Sequence, residues 1–283
     1  MTRRAPAAAR ILLPAMIAGA AAFLPAAPAE AGPPFRTDDP DMVEPGHYEF
    51  YVFSTGNRHK EDAQAVLPGF EFNYGVVDGV QVHVAAPFVH DRQTDGASAP
   101  DPYASTYAYG DTELGLKLRF VKEDKGGWRP EVGIYPMYEA PTGSKIDDTG
   151  KGHGTAFLPL WLQKEVGDFT AFGGGGYWIN GGTTASRIPG PSGITCAVRN
   201  QNYWFEGLGV LYKLTDAVQV GPEIFHQSRS TDQPDGVTQT GFNVGGIYDA
   251  TDHDHLMLSV GRGLENARDT NMVSYYVAYQ RTW

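Results

Sequence analysis

The stretch Thr270–Trp283, TNMVSYYVAYQRTW, sets the reading of the whole chain. Every second position carries Val273, Tyr275, Val277, Tyr279 and finally Trp283, with Arg281 alone breaking the apolar series. The opposite parity, Ser274, Tyr276, Ala278, Gln280 and Thr282, is mostly small or polar. Period-2 alternation of this length describes a strand with one apolar and one wet face. Tyrosines near its ends and a terminal tryptophan suit a bilayer crossing. The closing strand of a soluble sandwich would alternate in the same way, so the decision falls to the other strands and their connections.

Working back to His47 gives twelve strand candidates, at about 47–56, 64–76, 80–90, 107–121, 128–140, 155–166, 169–180, 201–214, 217–229, 237–248, 255–262 and 270–283. No segment carries a capped apolar period of 3.6. Long polar connections (57–63, 91–106, 141–154, 181–200, 230–236, 263–269) alternate with mostly short ones such as Val77-Asp78-Gly79, Gly167-Asp168 and Thr215-Asp216. That beat belongs to an up-and-down antiparallel barrel with turns at one rim and loops at the other. A Greek-key sandwich has no reason to keep it. In 107–121, Leu114, Leu116, Leu118 and Phe120 oppose Glu113, Gly115, Lys117 and Arg119. Val80, Val82, Val84 and Phe88 likewise oppose Gln81 and His83, and Val218, Val220 and Ile224 oppose Gln219, Glu223 and Gln227. Charges on the parity a soluble barrel would bury are costly. A wet lumen inside a lipid-facing wall accommodates them. The expected fold is therefore all-β, a transmembrane up-and-down barrel of about twelve strands. The run Gly173–Gly176 shows no readable facing and is expected to mark bending or close approach.

Before His47 the chain divides twice. Residues 1–31 read as a secretory signal: Arg3, Arg4 and Arg10, an apolar stretch from Ile11 to Leu24 broken by Pro14, and Ala29-Glu30-Ala31 as a cleavage site. Residues 32–46, GPPFRTDDPDMVEPG, cannot form a regular element and read as an N-terminal leader, either a surface arm or a segment tucked inside the barrel. Residues 47–283 are the barrel. Net charge is −11, and the signal takes away three arginines but only one glutamate, so the rest is more acidic still. That argues against nucleic acid as a partner. One cysteine, Cys196, excludes an intrachain disulfide framework.

These residues resemble a known family of outer-membrane proteins, the MetA-pathway of phenol degradation family. The matching stretches are PPFRTDDPDMVEPGHYEFY, FEFNYGVVDGVQVHVAAP, YGDTELGLKLRF, PEVGIYPMYEAPTG, FLPLWLQKEVGDFTAFGGGGYWIN and GFNVGGIYDATDHDHLMLSVGRGL. The resemblance implies an outer-membrane barrel that passes small molecules, aromatic ones among them. It carries no established catalytic residues onto this chain, and no cofactor is expected.

The candidate lumen lining is Glu113, Lys117, Arg119, Arg129, Glu131, Glu139, Glu165, Glu206 and Glu223, with Gln163 and Gln227. Such a set is either a selectivity lining or a charge network that fills a narrow barrel. Carboxylates outnumber cations, so a pore would favour cations and neutral solutes. If the leader enters the lumen, Asp38 and Asp39 are expected to pair with Arg119 or Arg129. His226 and Ser228 share a strand face and form the core of an alternative, a barrel-embedded lipid hydrolase similar to outer-membrane phospholipase A. Ser228 is followed by Arg229-Ser230-Thr231 rather than an oxyanion segment, and Asn243 is expected to point inward. A non-conducting structural or adhesion barrel is the third reading. Asp252-His253-Asp254-His255 and the group Asp147, Asp148 and His153 carry metal-type residues, but solvated turns account for them and no metal site is assigned. The five tryptophans are expected mostly at strand ends, Trp161 pointing inward. The expected function is passive movement of small solutes by a monomer set in outer-membrane lipid, with no enzymatic activity.

Overall fold

The computed structural model describes residues 34–60, 62–93, 105–145, 147, 149–180, 182–187, 195–230 and 237–283. The expected signal, Asp148 and much of the long connections at 91–106, 181–200 and 230–236 lie outside them.

Twelve strands close into one antiparallel sheet. They are β1 Tyr48–Arg58, β2 Asp62–Val77, β3 Val80–Gln93, β4 in two pieces (Ser105–Tyr109 and Thr112–Val121), β5 in two pieces (Glu131–Ile134 and Met137–Ala140), β6 Thr155–Val166, β7 Phe169–Ile179, β8 Tyr203–Thr215, β9 Val218–Gln227, β10 Gln239–Asp249, β11 Asp254–Glu265 and β12 Val273–Thr282. Each strand pairs with the next, and β12 returns to β1, from Glu49 opposite Thr282 to Arg58 opposite Val273. The break in β5 falls at Tyr135-Pro136, where proline has no N–H to give the ladder. The Pro136 carbonyl still accepts Leu116 N–H at 3.0 Å. A separate ribbon, Gly182–Arg187 with Thr195–Asn200, lies in the connection between β7 and β8. The long first connection expected at 57–63 is not there. β1 runs to Arg58 and β2 starts at Asp62, because the ladder continues through the polar residues that read as loop.

The opening stretch faces as its parity predicts. Val273, Tyr275, Val277 and Tyr279 are exposed on the outer wall, while Ala278, Gln280 and Thr282 are buried inside. The outer wall repeats this with Leu114, Leu116, Leu158, Leu160, Leu256 and Leu258. Aromatic pairs mark both rims. Tyr48 stacks on Tyr74 at 4.8 Å and on Trp283 at 6.0 Å, and Phe169 meets Tyr212 at 4.8 Å, beside the short turns. At the other rim Tyr177 meets Trp204 at 4.9 Å, and Phe88 meets Tyr107 at 6.1 Å. Two aromatic belts flanking an apolar band are the surface of a barrel set in lipid. Trp161 and Trp178 depart from the belt pattern, because both turn inward onto Phe157. The glycine run makes room for them: a Cβ on Gly174, itself at φ 150, would strike the Leu160 carbonyl and the Trp161 ring.

Leu258, on the outer wall opposite Val277, tests the lipid-facing assignment. Leu258→Arg is expected to lower unfolding free energy in lipid by about 2–4 kcal/mol, measured by denaturant titration of the reconstituted barrel. An unchanged midpoint would contradict the facing.

Candidate functional site

The leader does not lie on the surface. It enters at the short-turn rim, where Gly46 N–H donates to the Gly75 carbonyl at 2.8 Å and Pro45 bridges Gly75. Higher up, Val43 N–H donates to Gln81 Oε1 at 2.8 Å. Lys117 Nζ then gathers the acidic stretch, donating to Asp38 Oδ1 at 3.2 Å and to the Asp41 carbonyl at 2.9 Å, with Asp39 Oδ1 3.6 Å away. Arg119 lies 3.8 Å from Asp41 and 3.3 Å from Glu131. On the opposite wall, Glu223 accepts hydrogen bonds from Thr37 N–H (2.5 Å) and Thr37 Oγ1 (2.6 Å), and Asn243 binds its other oxygen. Gly207 leaves the space Thr37 needs, since a Cβ there would collide with Thr37 Oγ1. The Pro34 carbonyl accepts Ser259 Oγ at 2.6 Å. Residues rich in Pro and Asp form no ladder of their own, so the wall's inward side chains satisfy this backbone.

One side of the wall is a polar chain running across strands. Gln280 Nε2 donates to Tyr51 Oη at 2.7 Å, and Tyr51 Oη to Glu49 at 3.2 Å. Asn73 joins Glu49 to Glu71. His83 then lies with Nδ1 2.8 Å from Asn73 Oδ1 and 3.3 Å from Glu71, and Nε2 2.9 Å from Glu113. The other side is apolar. Tyr135, Phe157, Trp161, Phe205 and Phe225 form one buried cluster. Tyr51, Phe172, Leu211, Ile247, Met257 and Ala278 form a second, with Phe35 of the leader packed on it. Phe35 stacks on Phe172 at 6.1 Å. Among the described residues, two cavities border the leader. One, of about 260 Å³, is lined by Asp38, Asp39, Asp41, Glu49, Glu71 and Glu113 together with His83, Lys117, Tyr135 and Trp161. The other, of about 280 Å³, lies toward the loop rim and is lined by Asn57, Gln64, Asn243, Asn271 and Tyr275. Phe35, Arg36 and Tyr276 border both and separate them.

Of the expected lining, Glu113, Lys117, Arg119, Glu131 and Glu223 face the lumen at the sites just described. Glu139 also faces inward and binds Lys151 and Thr155. Glu165 sits near the short-turn mouth, 3.5 Å from Lys125. Two assignments are corrected. Arg129 is exposed in the short-turn connection, donating to the Lys122 carbonyl, and meets no leader acid. Glu206 points outward with Trp204 and Leu208. On that strand the inner parity is itself aromatic, so apolar character gives no sense of direction. Glu49, Glu71, Asn73 and Arg36 line the lower cavity as well, outside the expected set. The first three were legible as the polar parity of YEFY and FEFNY. Arg36 had no periodic signal.

The remaining motifs are engaged locally. His226 Nδ1 bonds Thr240 Oγ1 at 2.8 Å, and Ser228 Oγ accepts Trp204 N–H at 2.8 Å, so neither meets the other. Asn243 points inward, bound to Glu223. His255 Nδ1 lies 2.7 Å from Asp249, and Asp254 is held by Thr251, Tyr279 and Arg281. Among the described residues no group of three metal-type side chains converges. In the turn between β2 and β3, the hydrogen bond from Lys122 holds the Asp78 carboxyl below the usual carboxylate range.

The family described as "MetA-pathway of phenol degradation" matches residues 55–280. The chain belongs to this family. Among solved structures it is similar to the COG4313 outer membrane channel from Pseudomonas putida F1, at 17% identity and a TM-score of 0.67, over 87% of this chain and 98% of that one. It is also similar to the translocator domain of autotransporter NalP from Neisseria meningitidis, at 10% identity and a TM-score of 0.53, over 85% and 88%. No functionally curated protein matches the sequence. These likenesses establish the fold as an outer-membrane β-barrel.

The leader's anchorage depends on Lys117. Lys117→Met strands its acids and is expected to loosen the leader by about 1–3 kcal/mol. Trypsin cleavage after Arg36, followed by mass spectrometry, is expected to speed up about tenfold or more. An unchanged rate would show that the ion pairs do not hold the leader.

Proposed function

We propose that the barrel is a passive facilitator for small solutes, with the leader as a resident obstacle in its path. The observation that carries this reading is the pair of cavities stacked in the lumen and separated by Phe35, Arg36 and Tyr276. Shifting that short strap would join them. The named role of the Pseudomonas relative as an outer membrane channel supports the same direction. Acids outnumber cations around the lower cavity, so cations and neutral molecules pass in preference to anions. Glu113, Lys117, Arg119, Glu131, Glu139, Glu165 and Glu223 are the proposed lining. The family's name and the aromatic inner clusters make phenolic compounds the first solutes to try. In this reading the chain is exported with residues 1–31 removed, and works as a monomer.

Planar-bilayer recording tests the proposal. Deleting residues 33–45 is expected to raise single-channel conductance several-fold. Glu71→Gln with Glu113→Gln is expected to shift the reversal potential toward lower cation preference. A deletion variant that inserts yet conducts like the wild type refutes the obstacle role. Absence of any conductance or liposome swelling, with or without the leader, refutes the channel.

A further inference from the structure

Arg36 is held in a way the other leader residues are not. Its guanidinium carbon lies 4.4 Å from the centre of the Phe225 ring and 5.6 Å from that of Phe205. Those two rings stack on each other at 6.3 Å and are buried in the wall. Arg36 Nη1 donates to Gln239 Oε1 at 3.3 Å, and Nη2 reaches Gln227 Oε1 at 3.5 Å. Both amides thus turn their oxygens toward the cation. Gln239 does so while its buried Nε2 has no hydrogen-bond partner among the described residues. Glu223, 2% exposed, puts a carboxylate on the same stretch of wall. It is bound by Thr37, the next residue of the leader.

We propose that Phe205, Phe225, Gln227 and Gln239 form a binding site for planar organic cations of the guanidinium class, with Arg36 as its tethered occupant. The chemistry is specific. Aromatic faces attract a weakly hydrated cation. Two amide oxygens, 3.3 and 3.5 Å from separate guanidinium nitrogens, match a flat fork of N–H donors better than a point-like ammonium. A packing role alone would need neither the two amide oxygens nor the orphaned Gln239 donor. The remaining leader contacts keep Arg36 at the site, so a free guanidinium must compete with an intramolecular guest whose effective concentration is on the order of millimolar or more. Arg36 therefore acts as an internal stand-in for the solute. The strap between the cavities is the part of the leader that such a solute displaces. This use in transport rests on the channel reading above. The binding site itself does not.

Calorimetry on the full barrel in detergent, with methylguanidinium as probe and N-methylurea as its neutral counterpart, tests the site without requiring conduction. Arg36→Ala is expected to bind methylguanidinium at least about tenfold more tightly than the wild type, and to bind N-methylurea no better than the wild type does. Adding Phe225→Leu, or Gln239→Met should the first double variant fail to show a heat-modifiable folded band, is expected to abolish the gain. Equal binding by wild type and Arg36→Ala overturns the proposal. So does a gain that survives both second substitutions, or one shared by N-methylurea. If methylguanidinium binds as expected but no variant conducts, the site stands and the channel reading fails.

Discussion

The constraint on which the rest depends is that hydrocarbon offers no hydrogen-bond partner to a peptide group. Every strand that meets lipid must be paired on both sides, and the ladder between β1 and β12 is what removes the last edge. Once the sheet is closed, its two faces have different solvents. The outer face takes leucine, valine and the belt aromatics because lipid accepts them. The inner face is then free to carry Glu49, Glu71, His83, Glu113 and Lys117, which no soluble core of this size would bury together.

Closure also creates a problem that the leader answers. A barrel of twelve strands is narrow, and its inner wall here is divided between a polar arc and two aromatic clusters. An unfilled lumen would leave Lys117 and Glu223 to water, and the Phe172 and Phe225 faces wet. The leader supplies carboxylates to Lys117, a hydroxyl and an N–H to Glu223, Phe35 to Phe172 and Arg36 to Phe225. Its sequence, FRTDDPD, is matched in order to apolar, cationic, hydroxyl and anionic needs of the wall. Because proline and aspartate keep it from forming structure of its own, its backbone stays available to the wall's side chains.

The strand count, closure and facing could be read from alternation, because lipid and water impose opposite demands on adjacent positions. That reading failed where the inside is not polar. Around Glu206 the inner partners are Phe205 and, on the facing strand, Phe225, so both parities look apolar and the charge was assigned inward. Arg129 departs from the expected facing because it belongs to the turn, where its carbonyl accepts Asp124 N–H, and the strand begins only at Glu131. The leader's path was illegible for a different reason. It has no period, its contacts reach as far as Ser259 in the chain, and only the folded wall brings Gln81, Lys117, Glu223 and Ser259 to bear on it. The alternating residues of β3 place His83 on the wet face, but nothing local announces that Glu71 and Glu113 flank it from two neighbouring strands.

The distribution of contacts along the leader argues that its parts differ in strength. The acids around Lys117 are bound by several charge-assisted hydrogen bonds each worth on the order of 1–3 kcal/mol. The strap at Phe35 and Arg36 is held by stacking and by long, neutral-acceptor hydrogen bonds near 3.3–3.5 Å. Those are the weaker class, and they lie where water in both cavities can reach them. Local opening follows the weakest contacts first. The leader is thus anchored at its middle by charge, and its weakest direct contacts fall at Phe35 and Arg36, which border both cavities.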